Sequence, residues 1–171
     1  MNKKELREVL DYHSLWLDSD GEEGRRADLT GALLMGANLW GANLSGAELT
    51  GANLWGAELI AADLTGAVLY GANLRQANLN EVNLRGADLR GAELREADLT
   101  WAELREADFR GADLRGAELR EADLTGAQLG PEIRECWGFP QATVSEDQLA
   151  WLCLHPRFGE WVSGLKIGVK Q

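Results

Sequence analysis

Ala87-Asp88-Leu89-Arg90-Gly91-Ala92-Glu93-Leu94-Arg95-Glu96 is two copies of one five-residue word, Ala–(Asp/Asn/Glu)–Leu–X–Gly/Glu, and that word runs without insertion or deletion from Ala27 to Pro131. Leu recurs every five residues from Leu29 to Leu129, with Phe109 as the exception, and Ala stands two residues earlier except at Val82. A five-residue period fits neither regular element. On a helix each Leu would be rotated by roughly 140° from the last, scattering the apolar residues around the axis. On a flat strand the odd period would send successive Leu side chains to opposite faces. A short extended piece followed by a corner satisfies the pattern: Ala and Leu, two apart, point inward, and the corner re-aims the next word at the same axis. Gly at the fifth position, as in Gly31, Gly36 and Gly41, suits such a corner because it tolerates positive φ. A fixed short period therefore predicts an all-β solenoid with a filled core.

The word resembles that of the pentapeptide-repeat family, over all of residues 27–131. The resemblance implies a right-handed quadrilateral β-helix with four words per coil, hence about five coils in this run. Stacked at strand spacing, such a rod is roughly 25 Å long. Each buried Leu contributes about 1.5–3 kcal/mol, so twenty Leu positions supply an ample core for a thin rod. Phe109 is expected to widen the stack beside Leu89 and Leu129 on its own face.

A solenoid has open ends that need covers, and three segments follow: a helical cap over 1–26, the β-helix over 27–131, and a C-terminal helical cap or dimerisation segment over 132–171. Asn2 with Glu5 forms a capping-box pattern, and Leu6, Val9, Leu10, His13 and Leu17 fall on one helical face. Asp18-Ser19-Asp20-Gly21 ends that helix in a turn; it lacks the remaining ligand spacing of a calcium loop. Beyond the repeats, Ser145-Glu146-Asp147-Gln148 opens a second helix through Leu149, Trp151, Leu152 and Leu154, closed by Pro156. Trp137, Phe139, Trp151, Phe158 and Trp161 concentrate aromatic residues there. They read as a packed cover or, since some proteins of the resembled family pair through their C-terminal ends, as a homodimer interface built on Trp137, Phe139, Trp151 and Trp161. Cys136 and Cys153 read as reduced thiols, with a disulfide as the alternative. Lys3 and Lys4 lead into Glu5 rather than an apolar run, so no signal peptide or membrane span is read and a cytoplasmic location is expected.

No nucleophile motif, phosphate-binding loop or zinc spacing occurs. His13 and His155 read as helix-face residues. Carboxylates are plentiful, but an acid/base pair needs a cleft that separates two environments, and a filled solenoid offers none. The expectation is a protein without enzyme activity, cofactor or metal.

Function must then reside on the exterior. The position before Leu is mainly Asp, Asn or Glu, including the rows Asp88/Asp108, Glu93/Asp113, Asp98/Glu118 and Glu103/Asp123. The position after Leu divides the rod: early words carry Thr30, Met35, Trp40, Trp55, Ile60 and Tyr70, later ones Arg75, Arg85, Arg90, Arg95, Arg105, Arg110, Arg115 and Arg120. The chain has a net charge of −11, and its repeats hold sixteen acidic residues against eight Arg. Duplex DNA carries about one charge per 1.7 Å; the carboxylates here are spaced comparably, at half the net density. An acidic rod repels nucleic acid, so the expected partner is a protein. Family resemblance implies a DNA mimic as the leading reading, because quinolone-resistance proteins of this type occupy DNA gyrase. The target would be the DNA-binding surface of a topoisomerase, nuclease or phage-defence complex. The Arg rows dilute that field, since they can neutralise Asp and Glu within and between coils.

The second reading is a scaffold or adaptor that binds one protein, or itself, through an apolar patch. Leu33, Met35 and Trp55 share one face, Trp40 and Ile60 the adjacent one, Val68 and Tyr70 the face on the other side. Such clusters mark contacts, unless the N-terminal helix folds back over them. Trp101, at a corner where Gly or Glu is usual, is a separate candidate contact.

Overall fold

A computed structural model describes residues 1–130, residues 143–144 and the backbone of residues 166–167. Helix α1 spans Lys3–Asp18. It starts where the capping pattern predicts: the Asn2 side chain accepts from the Lys4 and Glu5 amides, and Glu5 accepts from the Asn2 amide, each at 2.9 Å. Those bonds satisfy donors that a helix start otherwise leaves open. At the other end the chain reverses through Asp20 and Gly21, both at positive φ, and the Gly21 amide donates to the Trp16 carbonyl at 2.8 Å.

The segment after this turn runs back along α1. The Arg25 amide donates to the Tyr12 carbonyl at 3.0 Å, and a Cβ on Gly24 would stand 2.2 Å from that same carbonyl oxygen. Only glycine fits there. The Ala27 amide then donates to Nδ1 of the fully buried His13 at 3.1 Å, and the repeats begin.

From Asp28 each word bridges, in parallel, the word twenty residues on: Asp28 with Glu48, Leu33 with Asn53, Asn38 with Glu58, Asn43 with Asp63, and so along the rod. Twenty residues are four words, so four words close one coil. Between coils the Leu amide donates to the carbonyl nineteen residues later, as in Leu54 to Asn73 at 2.7 Å, and the corner amide does likewise, as in Gly56 to Arg75 at 2.9 Å. Within a word, the amide of the next Ala returns to the Leu carbonyl, as in Ala57 to Leu54 at 3.0 Å. That four-residue turn needs positive φ at its third residue. Most corners are Gly, yet Ala61, Gln76, Glu81, Glu96, Trp101, Glu106 and Glu121 adopt the same φ of 54–62°. They can because a Cβ at the Gly corners from 31 to 91 meets nothing within 4 Å; the cost is backbone strain alone.

Inside, Leu and Ala form one continuous core, with Leu44 through Leu104 and Phe109 essentially inaccessible. Short regular strands occur at β1 (Asp108–Phe109) and β2 (Gln128–Leu129), which pair in the same register and set Phe109 beside Leu129. The coil spacing continues past Pro131. Strand β3 (Thr143–Val144) bridges Asp123 twenty residues on, buries Val144 where a repeat Leu would stand, and pairs with β4 (Lys166–Ile167). Leu6, Val9 and Leu10 of α1 pack on the core from the opposite end. The expected second helix, the aromatic residues Trp137, Phe139, Trp151 and Trp161, and both cysteines lie outside the described residues.

Candidate interaction surface

The four acidic rows lie where the twenty-residue spacing puts them: Asp88 bridges Asp108, Glu93 bridges Asp113, Asp98 bridges Glu118, and Glu103 bridges Asp123. Their aspartates, however, are engaged locally. Oδ1 of Asp88, Asp98, Asp108, Asp113 and Asp123 accepts the backbone N–H two residues on, at 2.9–3.2 Å. Asn38, Asn43, Asn53 and Asn73 make the same bond at 3.0–3.2 Å. This is an Asx turn, which fixes the backbone entering each corner. Asp and Asn interchange before Leu because the shared requirement is one acceptor oxygen, not a charge.

Arginine takes up much of the remaining charge, within words and between coils as expected. Arg90 pairs with Asp88 at 2.7 Å and lies 3.8 Å from Asp108; Arg110 pairs with Asp108 at 2.6 Å. Arg115 pairs with Asp113 and Arg105 with Asp123, both at 2.5 Å. Hydrogen bonds from Arg90, Arg110 and Arg115 hold the carboxyls of Asp88, Asp108 and Asp113 below the ordinary range. Burial pushes Asp123 upward, but its bonds with Thr125 and Arg105 more than offset that. Among the described residues, Glu93, Asp98, Glu103 and Glu118 have no arginine within ion-pair distance, so within the four rows the unpaired negative charge lies on these carboxylates. Exposed pairs of this kind contribute little to stability; their consequence here is a weakened outward field.

The apolar residues lie on the faces that the twenty-residue spacing gives them. Met35 stacks under Trp55 and Trp40 under Ile60, through Gly36-to-Trp55 and Gly41-to-Ile60 backbone bonds at 2.9 Å. With Leu33 they make one strip across two adjoining faces of the first coils. Helix α1 flanks the strip without covering it: Leu33 is 66 %, Trp40 68 %, Met35 59 % and Trp55 44 % exposed. Tyr70 is drawn instead toward the arginine rows, with the Arg90 guanidinium 5.8 Å from its ring centre, and Val68 is half-buried between Glu48 and Asp88. Trp101 stands alone at its left-handed corner, in the column of Ala61, Glu81 and Glu121, away from the strip.

Two features of the N-terminal cap were not legible as such. His13 is buried, its Nδ1 holds the Ala27 amide, and its ring stacks on Trp16 at 5.6 Å. Burial lowers its pKa, the nearby Ser45 carbonyl opposes that without closing a hydrogen bond to Nε2, and Arg26 reinforces it. Arg26 itself reaches the Gly46 carbonyl and Glu48. Among the described residues no group of three or more His, Cys, Asp or Glu could hold a metal, and no helix is long and apolar enough to cross a membrane.

With this geometry in place, the comparisons with known proteins are concordant. The family profile described as pentapeptide repeats matches in eight copies over residues 27–66, 57–95, 67–105 and 92–130. The chain belongs to the pentapeptide-repeat family, whose members fold as right-handed quadrilateral β-helices. Among solved structures it is similar to a pentapeptide repeat protein from the Arabidopsis thaliana thylakoid lumen, at 27 % identity over 74 % of each chain, with a TM-score of 0.58. It is also similar to Rfr23 from the cyanobacterium Cyanothece 51142, at 38 % identity over 63 % of this chain and 67 % of that one, with a TM-score of 0.52. The fluoroquinolone resistance protein QnrB1 aligns at 22 % identity with a TM-score of 0.27, which carries no argument about what this chain binds. No curated protein sequence matches.

Proposed function

We propose that this chain is a non-enzymatic protein-binding solenoid, and that it meets its partner through the strip Leu33, Met35, Trp40, Trp55 and Ile60. One observation carries the reading: two tryptophans, a leucine and a methionine stand 44–68 % exposed, side by side, on a scaffold whose other outward positions are almost all polar. A solenoid of this type gains nothing in its own core from them. Desolvating large rigid side chains against a partner is what interface centres do. The fold alone would not assign this role; the strip is what supports it.

A DNA mimic is the second reading. It is supported by the net charge of −11 and by Glu93, Glu103 and Glu118, which have no arginine within ion-pair distance among the described residues. It ranks below the strip because four of the eight row carboxylates are already held by arginine. Affinity capture with identification of the bound protein separates the two, using wild type, Trp40→Glu/Trp55→Glu and Glu93→Gln/Glu103→Gln/Glu118→Gln. The strip reading expects one and the same protein to be lost with the first variant and kept with the second. Loss with the glutamine variant alone assigns the contact to the acidic rows and overturns it.

A further inference from the structure

Helix α1 and the first coil enclose an open groove of about 610 Å³ at one end of the strip. The helix contributes Leu6 and Leu10 to its floor and Lys3 and Arg7 to its rim; the coil contributes Leu33, Met35 and Trp40. Lys3 and Arg7 are the only charged side chains lining it, in a chain of net charge −11. Neither forms an ion pair among the described residues. The opposite flank of α1 differs: there Glu5, Glu8 and Asp28 line the same hollow as Arg25 and Arg26, so both signs of charge are present. On the groove side Lys3, Arg7 and the Met1 ammonium, which donates to the Leu33 carbonyl at 3.3 Å, border an apolar floor that no carboxylate lines.

The same groove is bordered by an unfinished sheet edge. In later coils the amide before Leu donates to the coil behind it, as Asn53 does to Ala32 and Glu58 to Ala37, each at 2.9 Å. Leu33 and Asn38 belong to the first coil and have no coil behind them. Their amides find no acceptor among the described residues. An edge with open donors is a template for an added strand.

We infer that this groove takes an extended segment of the partner protein in which apolar and acidic residues alternate. Its backbone pairs with the Leu33–Asn38 edge, its apolar side chains lie on Leu10, Leu33 and Trp40, and its carboxylates meet Lys3 and Arg7. A peptide fits better than a small amphipathic anion because the apolar floor continues out of the groove onto Trp55 and Ile60. This rests on the reading of the strip as the contact surface, and it specifies the chemistry of what binds there.

The test is fluorescence anisotropy with two labelled eight-residue peptides, one alternating Leu and Glu, the other Leu and Lys. They are titrated with wild type and with Lys3→Glu/Arg7→Glu. The Glu peptide is expected to bind wild type at least about tenfold tighter than the Lys peptide, and the double reversal to invert that preference. Thermal melts confirm that the reversal, at two exposed side chains without ion pairs, leaves the fold intact. Equal binding of both peptides, binding of neither, or a preference untouched by the reversal overturns the inference. If neither peptide binds while Trp40→Glu/Trp55→Glu still loses its captured partner, the groove assignment fails and the strip stands.

Discussion

Asp98 separates two accounts of the acidic rows, one in which they are there for their charge and one in which they shape the corners. Its Oδ1 accepts the Thr100 amide at 2.9 Å, and no arginine approaches it among the described residues. One coil away in the same column, Asn78 makes the equivalent bond to the Asn80 amide at 3.3 Å. Asp98→Asn keeps the acceptor and removes the charge, so the corner bond survives; the expected change in unfolding free energy is within about 0.5 kcal/mol. Asp98→Ala removes the acceptor and leaves the Thr100 N–H to water at a half-exposed turn, a loss of about 0.5–1.5 kcal/mol. Urea unfolding followed by circular dichroism resolves that difference as a shift in midpoint at constant slope. If Asn destabilises as much as Ala, or if Ala is silent, the Asx-turn explanation of the rows is refuted and their charge must be explained some other way.

Three further outcomes follow from the geometry. Gly24→Ala and Gly51→Ala alter glycines of nearly equal φ, 69° and 62°, but only Gly24 abuts backbone; Gly51→Ala is expected to cost about 1–2 kcal/mol of left-handed strain, and Gly24→Ala distinctly more in the same melts, with release of α1. His13 binds its proton less readily when folded than its ordinary value of 6.5, so the folded chain carries fewer protons than the unfolded one and stability rises with pH there; the contribution is complete above 6.5 and is lost as pH falls below it, which hydrogen exchange of the Ala27 amide should register in wild type and not in His13→Gln. Leu79→Ala, in the sealed middle of the core, is expected to cost about 2.7–5 kcal/mol in urea, whereas Leu33→Ala at 66 % exposure should change stability little.

How much of this was legible depended on whether the controlling contact was local. The period of Leu and Ala specified an inward-facing ladder because it fits no helix or strand, and the structure buries those residues. The count of four words per coil came from family resemblance; the pairing of Asp28 with Glu48 is what displays it. Neutralisation of the rows by arginine was readable from residue type and spacing. The Asx turns were also there to be read: Asn38, Asn43 and Asn53 occupy the same slot as Asp63 and Asp88, an exchange that a charge argument leaves unexplained. Ala142-Thr143-Val144 keeps the repeat count across the end of the run, a weak signal because the intervening words lack Leu. His13 was harder. Helical spacing places it in an apolar stripe, and only the return of residues 22–26 along α1 brings the Ala27 amide to its ring. Whether α1 covers Trp40 likewise depends on the angle at which a helix meets a coil end, which no local pattern encodes.

The account stands or falls on whether the exposed strip makes the contact. The direct measurement is the affinity of the captured partner, purified, for wild type and for Trp40→Glu/Trp55→Glu by calorimetric titration. Both side chains are exposed and outside the core, so the variant keeps its fold. Interface-centre residues cost about 2 kcal/mol or more each when lost, and the account predicts at least a thirtyfold weakening, roughly one such residue's worth. An affinity within about threefold of wild type, under 1 kcal/mol, would contradict it.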